Sequence, residues 1–93
     1  MIEPSSFITR DESVLAAEID GEIVLMSVTE GRYFGLNKVG SDIWKRLATP
    51  QCFGELCSAL LSEYDAAPET ISAEVEALLI RMSERQLVSL LPR

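Results

Sequence analysis

Residues 31–44 read Gly31-Arg32-Tyr33-Phe34-Gly35-Leu36-Asn37-Lys38-Val39-Gly40-Ser41-Asp42-Ile43-Trp44. Gly31 closes a turn and Arg32–Leu36 has the composition of a short strand. Asn37 then stands where a helix N-cap belongs, and Val39, Ile43 and Leu47 fall on one helical stripe. A strand is therefore joined to a helix with no linker between them. The stretch holds three of the chain's six aromatic residues, yet no catalytic pair and no metal ligand.

Upstream, Asp20-Gly21 separates Val14–Ile19 from Glu22–Val28. Both central residues of a type I′ turn need positive φ, so this dipeptide predicts a hairpin. Glu30-Gly31 offers a second tight turn into Arg32–Leu36. Two-residue turns at both places set Val24 opposite Ala17 and Leu25 opposite Leu36. One face of this three-stranded meander then carries Val14, Ile23, Leu25, Phe34 and Leu36. The other carries Leu15, Ala17, Ile19, Val24, Met26, Val28 and Tyr33. Both faces are apolar, so helices must cover one, and the other needs a cover or a partner. Residues 1–13 read as a polar N-terminal arm, ordered only if something holds it. The domain proper is expected over 14–91.

Downstream, Lys38–Ala48 is the first helix, ended by Thr49-Pro50. Phe53–Tyr64 is the second, with Phe53, Leu56, Cys57, Leu60, Leu61 and Tyr64 at a 3.6-residue period. Cys52 occupies its cap position, and a thiol is a weak cap. The third helix runs from about Glu69 to Gln86, with Ile71, Val75, Leu78, Leu79 and Met82 inward. Leu87–Leu91 reads as a terminal turn or a short strand. The fold class is α+β, winged helix-turn-helix-like: a three-stranded antiparallel β-meander followed by three α-helices.

A chain of 93 residues is one domain, and 47% apolar residues with clear periodicity imply a folded core. No apolar run approaches the ~18 residues of a membrane span, and the N-terminus lacks the pattern of a secretory signal. The expected location is cytoplasmic, with no membrane partner. Cys52 and Cys57, five residues apart on a helix start, would point about 140° apart, which disfavours a disulfide. With no histidine and no CxxC pair, no metal site and no cofactor is expected. General acid–base work lacks its usual side chain, and Cys57 has no base to activate it, so the chain is read as no enzyme.

A net charge of −7 works against nucleic acid. The helix-turn-helix pattern keeps a winged-helix DNA-binding regulator as an alternative, but Phe53–Tyr64 carries two glutamates and no base where a recognition helix shows Arg, Lys, Asn or Gln. A second alternative is an acidic carrier protein modified on Ser41. Carriers usually read Asp-Ser-Leu in a four-helix fold; here the order is Ser-Asp and strands come first.

The ordered set Gly31, Phe34, Leu36, Asn37, Gly40, Ile43 and Trp44, then Glu55-Leu56, Leu60 and Tyr64, then Val75, Leu78-Leu79, Met82 and Leu87-Val88 resembles the PqqD-like family of precursor recognition elements. The resemblance covers about residues 14–91. Cys52 departs from it where many members have Thr, and Met82 where Leu is usual. The resemblance implies a domain that binds the leader segment of a ribosomally made precursor peptide by β-strand addition to the third strand, beside the third helix. The Ile43-Trp44 pair looks most like stand-alone members from lasso peptide biosynthesis. It implies two partners there: a leader peptidase of cysteine-protease type and an ATP-dependent cyclase.

The residues support this at one point of their own. Arg32–Leu36 is the last strand of the meander, and an open edge is a template for another chain. Four to six added backbone hydrogen bonds, at roughly 0.5–1.5 kcal/mol each, only offset the cost of ordering a flexible peptide. Side-chain anchors are therefore needed. The expected peptide-binding residues are Arg32, Tyr33, Phe34, Gly35 and Leu36 on the strand, with Val75, Leu78, Leu79 and Met82 on the helix.

Overall fold

In a computed structural model describing residues 2–91, the elements follow in the order β1 (Phe7–Arg10), β2 (Val14–Ile19), β3 (Glu22–Ser27), β4 (Arg32–Gly35), α1 (Lys38–Arg46), β5 (Gln51–Cys52), α2 (Phe53–Leu61), α3 (Pro68–Glu84) and β6 (Val88–Leu91). The fold is α+β, with its antiparallel strands in two sheets, β2-β3-β4 and β5-β1-β6.

The meander forms as its turns dictate. Asp20 and Gly21 take φ of 53° and 85°, the left-handed pair a type I′ turn requires. Ala17 pairs with Val24 as expected. The β3–β4 register differs: Leu25 lies opposite Phe34, not Leu36. The connection is a four-residue loop over 28–31 rather than a two-residue turn. Gly31 closes it at φ 66°, its N–H donating to the Ser27 carbonyl at 2.8 Å. The displacement is two residues, which preserves the side-chain alternation, so the strand residues keep their expected faces, while Val28 falls in the loop. Ile23, Leu25 and Leu36 are buried on the inner face; Leu15, Ile19 and Tyr33 on the outer face are 56% to 71% exposed.

The described part of the expected polar arm is instead built into the fold. β1 pairs with β6 from Phe7–Leu91 to Arg10–Val88, and with β5 through Phe7–Cys52 and Ile8–Gln51. Ile8 is fully buried and Ile2 also joins the core. Arg10 reaches from β1 to α1, its guanidinium 4.5 Å from the Trp44 ring centroid and donating to the Trp44 carbonyl. A cation there meets both an aromatic face and the negative end of a helix.

Asn37 caps α1 as expected, its Oδ1 accepting from the Gly40 N–H at 2.8 Å. Cys52 makes no capping bond at α2. The orphan amides there are satisfied by main chain: Phe53 N–H donates to the Ser6 carbonyl at 2.8 Å and Gly54 N–H to the Pro4 carbonyl at 2.9 Å. Gly54 eases this approach, since a Cβ would stand a tight 3.3 Å from the Pro4 carbonyl oxygen. Pro68 opens α3 in its first turn, where a missing N–H costs nothing. Leu25, Ile43, Leu47, Leu56, Leu60, Leu79 and Met82 fill the centre with almost no exposure.

Candidate functional site

The strand–helix joint is held by Ser41, a polar residue only 2% exposed. Its hydroxyl accepts from the Ile23 N–H at 2.8 Å and donates to the Leu36 carbonyl at 3.3 Å. Directly beside it, the Leu36 N–H donates to the Ile23 carbonyl at 2.8 Å. The hydroxyl thus bridges the second half of a ladder pair. It ends the β3–β4 ladder with every group partnered and fixes the angle at which α1 leaves β4.

That last ladder pair also sets which way β4 presents its backbone. Opposed residues in an antiparallel pair alternate between bonded and non-bonded. With Leu36 bonded to Ile23, the N–H and C=O groups of Phe34 face β3, and those of Tyr33 and Gly35 face away. Among the described residues β4 pairs only with β3. Its outer edge therefore offers the amides and carbonyls of Tyr33 and Gly35 for pairing with another chain.

Beside this edge lies a groove of about 440 Å³ between β4, the start of α1 and α3. Its apolar walls include Phe34, Leu36, Val39, Ile43, Ile71, Val75 and Leu78, with Gly40 at the base. Gly40 lets the two helices approach: a Cβ there would lie 3.3 Å from Leu78 Cδ2, Leu36 Cδ2 and Asn37 Oδ1. Glu74 and Arg81 flank the rim from α3. The Arg85 guanidinium sits 5.3 Å from the Phe34 ring centroid. β2 is the other open edge of this sheet, but the hollow beside it carries Arg10, Asp11 and Glu12 and is more charged.

The expected binding residues separate into three groups. Phe34, Gly35, Leu36, Val75 and Leu78 line the groove together. Leu79 and Met82 do not: both are fully buried and turn into the core. Arg32 and Tyr33 also lie outside it, and Tyr33 projects its ring from the opposite sheet face at 71% exposure. Only the backbone of Tyr33 belongs to the edge. Val39, Gly40, Ile43, Ile71 and Ala77 enter the groove without having been singled out. A signal for Val39 and Ile43 existed in the α1 stripe, which shares one face with the end of β4.

Chemically the site suits binding. Burial pushes the Cys57 thiol up, with a hydrogen bond to Ser72 opposing it, so the thiol stays protonated at neutral pH. Among the described residues, no three His, Cys, Asp or Glu side chains gather as a metal site, and no helix is long and apolar enough to cross a membrane. Ser41 is buried with both hydrogen-bonding roles in use, so it offers no hydroxyl for a prosthetic group.

A family model for coenzyme PQQ synthesis protein D (PqqD) matches residues 22–88. This chain belongs to the PqqD family. The PqqD match runs from the first residue of β3 into β6, so it takes in both walls of the groove. Among solved structures, the chain is similar to TbiB1 in complex with the TbiA(beta) leader peptide, with 31% identity and a TM-score of 0.81 over 87% of this chain and 94% of that one. It also shares its fold with a lasso peptide synthetase B1 complexed with the leader peptide, at 21% identity and a TM-score of 0.76 over 88% and 96%. No match was found among curated proteins. The PqqD-like fold accounts for the helix-turn-helix pattern, and α2, with Glu55 in its first turn and no base, keeps the acidic character that disfavours DNA.

Proposed function

We propose that this chain binds the leader segment of a ribosomally synthesised precursor peptide as a fourth strand on the outer edge of β4, with leader side chains seated against α3 and α1. The observation that carries the reading is the open β4 edge, with the Tyr33 and Gly35 backbone groups turned outward beside an apolar groove. Two relatives of the same fold, solved with leader peptides, support it. The groove volume falls in the ~300–1,000 Å³ range of ligand sites. One large apolar leader side chain buried there adds roughly 1.5–3 kcal/mol to the backbone pairing.

The protein does no chemistry of its own. It holds the leader so that a separate cysteine-type leader peptidase and an ATP-dependent, lasso-type cyclase meet the attached core peptide at raised effective concentration in the cytoplasm. In this reading Phe34, Leu36, Val75 and Leu78, which line the groove, make the side-chain contacts and Tyr33 and Gly35 the backbone pairing, while Leu79 and Met82 act through the core behind them. Titrating a fluorescently labelled cognate leader tests the reading. Saturable binding with a sub-micromolar to micromolar Kd is expected, and absence of saturation by that leader refutes it.

A further inference from the structure

Among the described residues two charged side chains line the groove, Glu74 and Arg81, both on α3 and both exposed. They are seven residues apart, which is two helical turns: ~10 Å along the axis and only about 20° around it. They stand on one side of α3 with the apolar positions Val75 and Leu78 between them. Asn37, the other polar side chain of the lining, has its oxygen engaged in the α1 cap.

Neither charge has a partner in the fold. The ion pairs among the described residues are Lys45–Glu18, Arg46–Asp42 and Arg46–Glu63. Arg32 and Arg85 share a separate hollow with Glu30 and Glu84, where bases and acids balance. Arg81 lies in the last turn of α3, where a cation complements the helix dipole. Glu74 has no such use. It lies beyond the first turn, and no charged residue stands three or four places from it.

The order of the two charges along β4 is fixed. Leu78 Cδ2 would stand 3.3 Å from a Cβ on Gly40 of α1, whereas Arg85 sits over Phe34. Moving toward the C-terminus of α3 is therefore moving toward the start of β4. Arg81 lies on that side and Glu74 on the side of α1. All strand pairs among the described residues are antiparallel, and a leader strand added the same way runs opposite to β4. Its N-terminal side meets Glu74 and its C-terminal side meets Arg81.

We infer that Glu74 and Arg81 are specificity-determining residues that read the charge order of the leader: a basic side chain N-terminal to the buried apolar anchor and an acidic one C-terminal to it. This rests on the leader-binding reading above. With ~3.4 Å per residue and alternate side chains turned to the groove, the ~10 Å between the two charges corresponds to an even step of two or four leader residues. A leader with the reverse order sets like charges together at both ends, which is how wrong partners are rejected. On a chain of net charge −7 an acidic leader residue is repelled over most of the surface, and Arg81 gives it one place in the groove.

The test uses the full chain and fluorescently labelled cognate leader, beside two derivatives: one with the acidic residues flanking the anchor replaced by amides, one with the flanking charges reversed in sign. At about 20 mM salt, Glu74→Gln and Arg81→Gln should each raise the Kd of the native leader about threefold to fivefold, and the loss should fade at about 0.5 M salt. Arg81→Gln should leave the Kd of the amide derivative unchanged. Glu74→Arg/Arg81→Glu should bind the charge-reversed leader more tightly than the native one. Native-leader Kd unchanged in both Gln variants overturns the inference. An equal loss for native and amide leaders overturns it too, by giving Arg81 a structural role only. Coupling of Arg81 to an acidic residue on the N-terminal side of the anchor refutes the charge order. The leader-binding reading is reported separately: saturable binding of the amide derivative by wild-type protein upholds it even where the charge reading fails, and wild-type protein that binds none of the three peptides defeats both.

Discussion

The two sheets of this chain are finished differently. In β5-β1-β6 the central strand has a partner on each side, and its inward residue Ile8 is wholly buried. Its flanking segment even supplies carbonyls to the start of α2. In β2-β3-β4 the inner face is just as well packed, but the outer face stays greasy and wet and the β4 edge keeps unused amides. The first sheet has both edges of its central strand paired, and its short outer strands β5 and β6 each pair with β1 alone. The second sets an open edge beside an apolar groove and leaves an apolar face exposed, and that asymmetry locates the surfaces left over for other molecules.

Substitutions should split along this line. The largest effect is expected for Ile8→Ala, which empties a fully buried site in the closed sheet: a loss of about 2–5 kcal/mol of stability, measured by urea denaturation. Next is Ser41→Ala, which orphans the Ile23 amide and the Leu36 carbonyl at the joint between open sheet and α1. It should cost about 1–3 kcal/mol in the same assay. If Ser41→Ala is neutral, the hydroxyl does not bridge the ladder.

Gly35→Pro should act on binding rather than folding. It removes an amide that faces away from β3, so thermal unfolding stays close to wild type while leader Kd rises by about tenfold or more. Equal affinity in that variant would exclude strand addition at β4. The smallest effect is expected for Ile19→Ala on the outer face, within about 0.5 kcal/mol of wild type despite removing as many carbon atoms as a large core truncation. A cost near that of Ile8→Ala would mean the face is already covered, and the contrast between the sheets would disappear.

Much of the open sheet was legible because its signals are local. Asp20-Gly21 names its turn type, and Asn37 followed by an apolar stripe names a helix start. The β3–β4 register was misjudged because Gly31 serves a four-residue loop as readily as a tight turn; parity protected the face assignment from that error. The closed sheet was illegible for the opposite reason. Its strands have four, two and four residues, too short for alternation to register, and their pairing joins residue 7 to residues 52 and 91. Cys52 looked like a poor cap since nothing in its neighbourhood announces that Pro4 and Ser6 do the capping. On α3, Leu78 and Leu79 differ by one residue, or ~100° of helix, and only packing tells which one faces the groove.

The carbonyls of Pro4 and Ser6 carry a practical lesson for anyone moving this module into a hybrid enzyme. The family-matched segment starts at Glu22, sixteen residues downstream of the nearer of the two oxygens that seat α2 (22 minus 6). A transplant trimmed to that segment would keep both walls of the cleft yet lose β1, β2 and the seat of the second helix. The smallest portable unit is therefore wider than the part that kinship picks out, and cut sites belong ahead of Pro4.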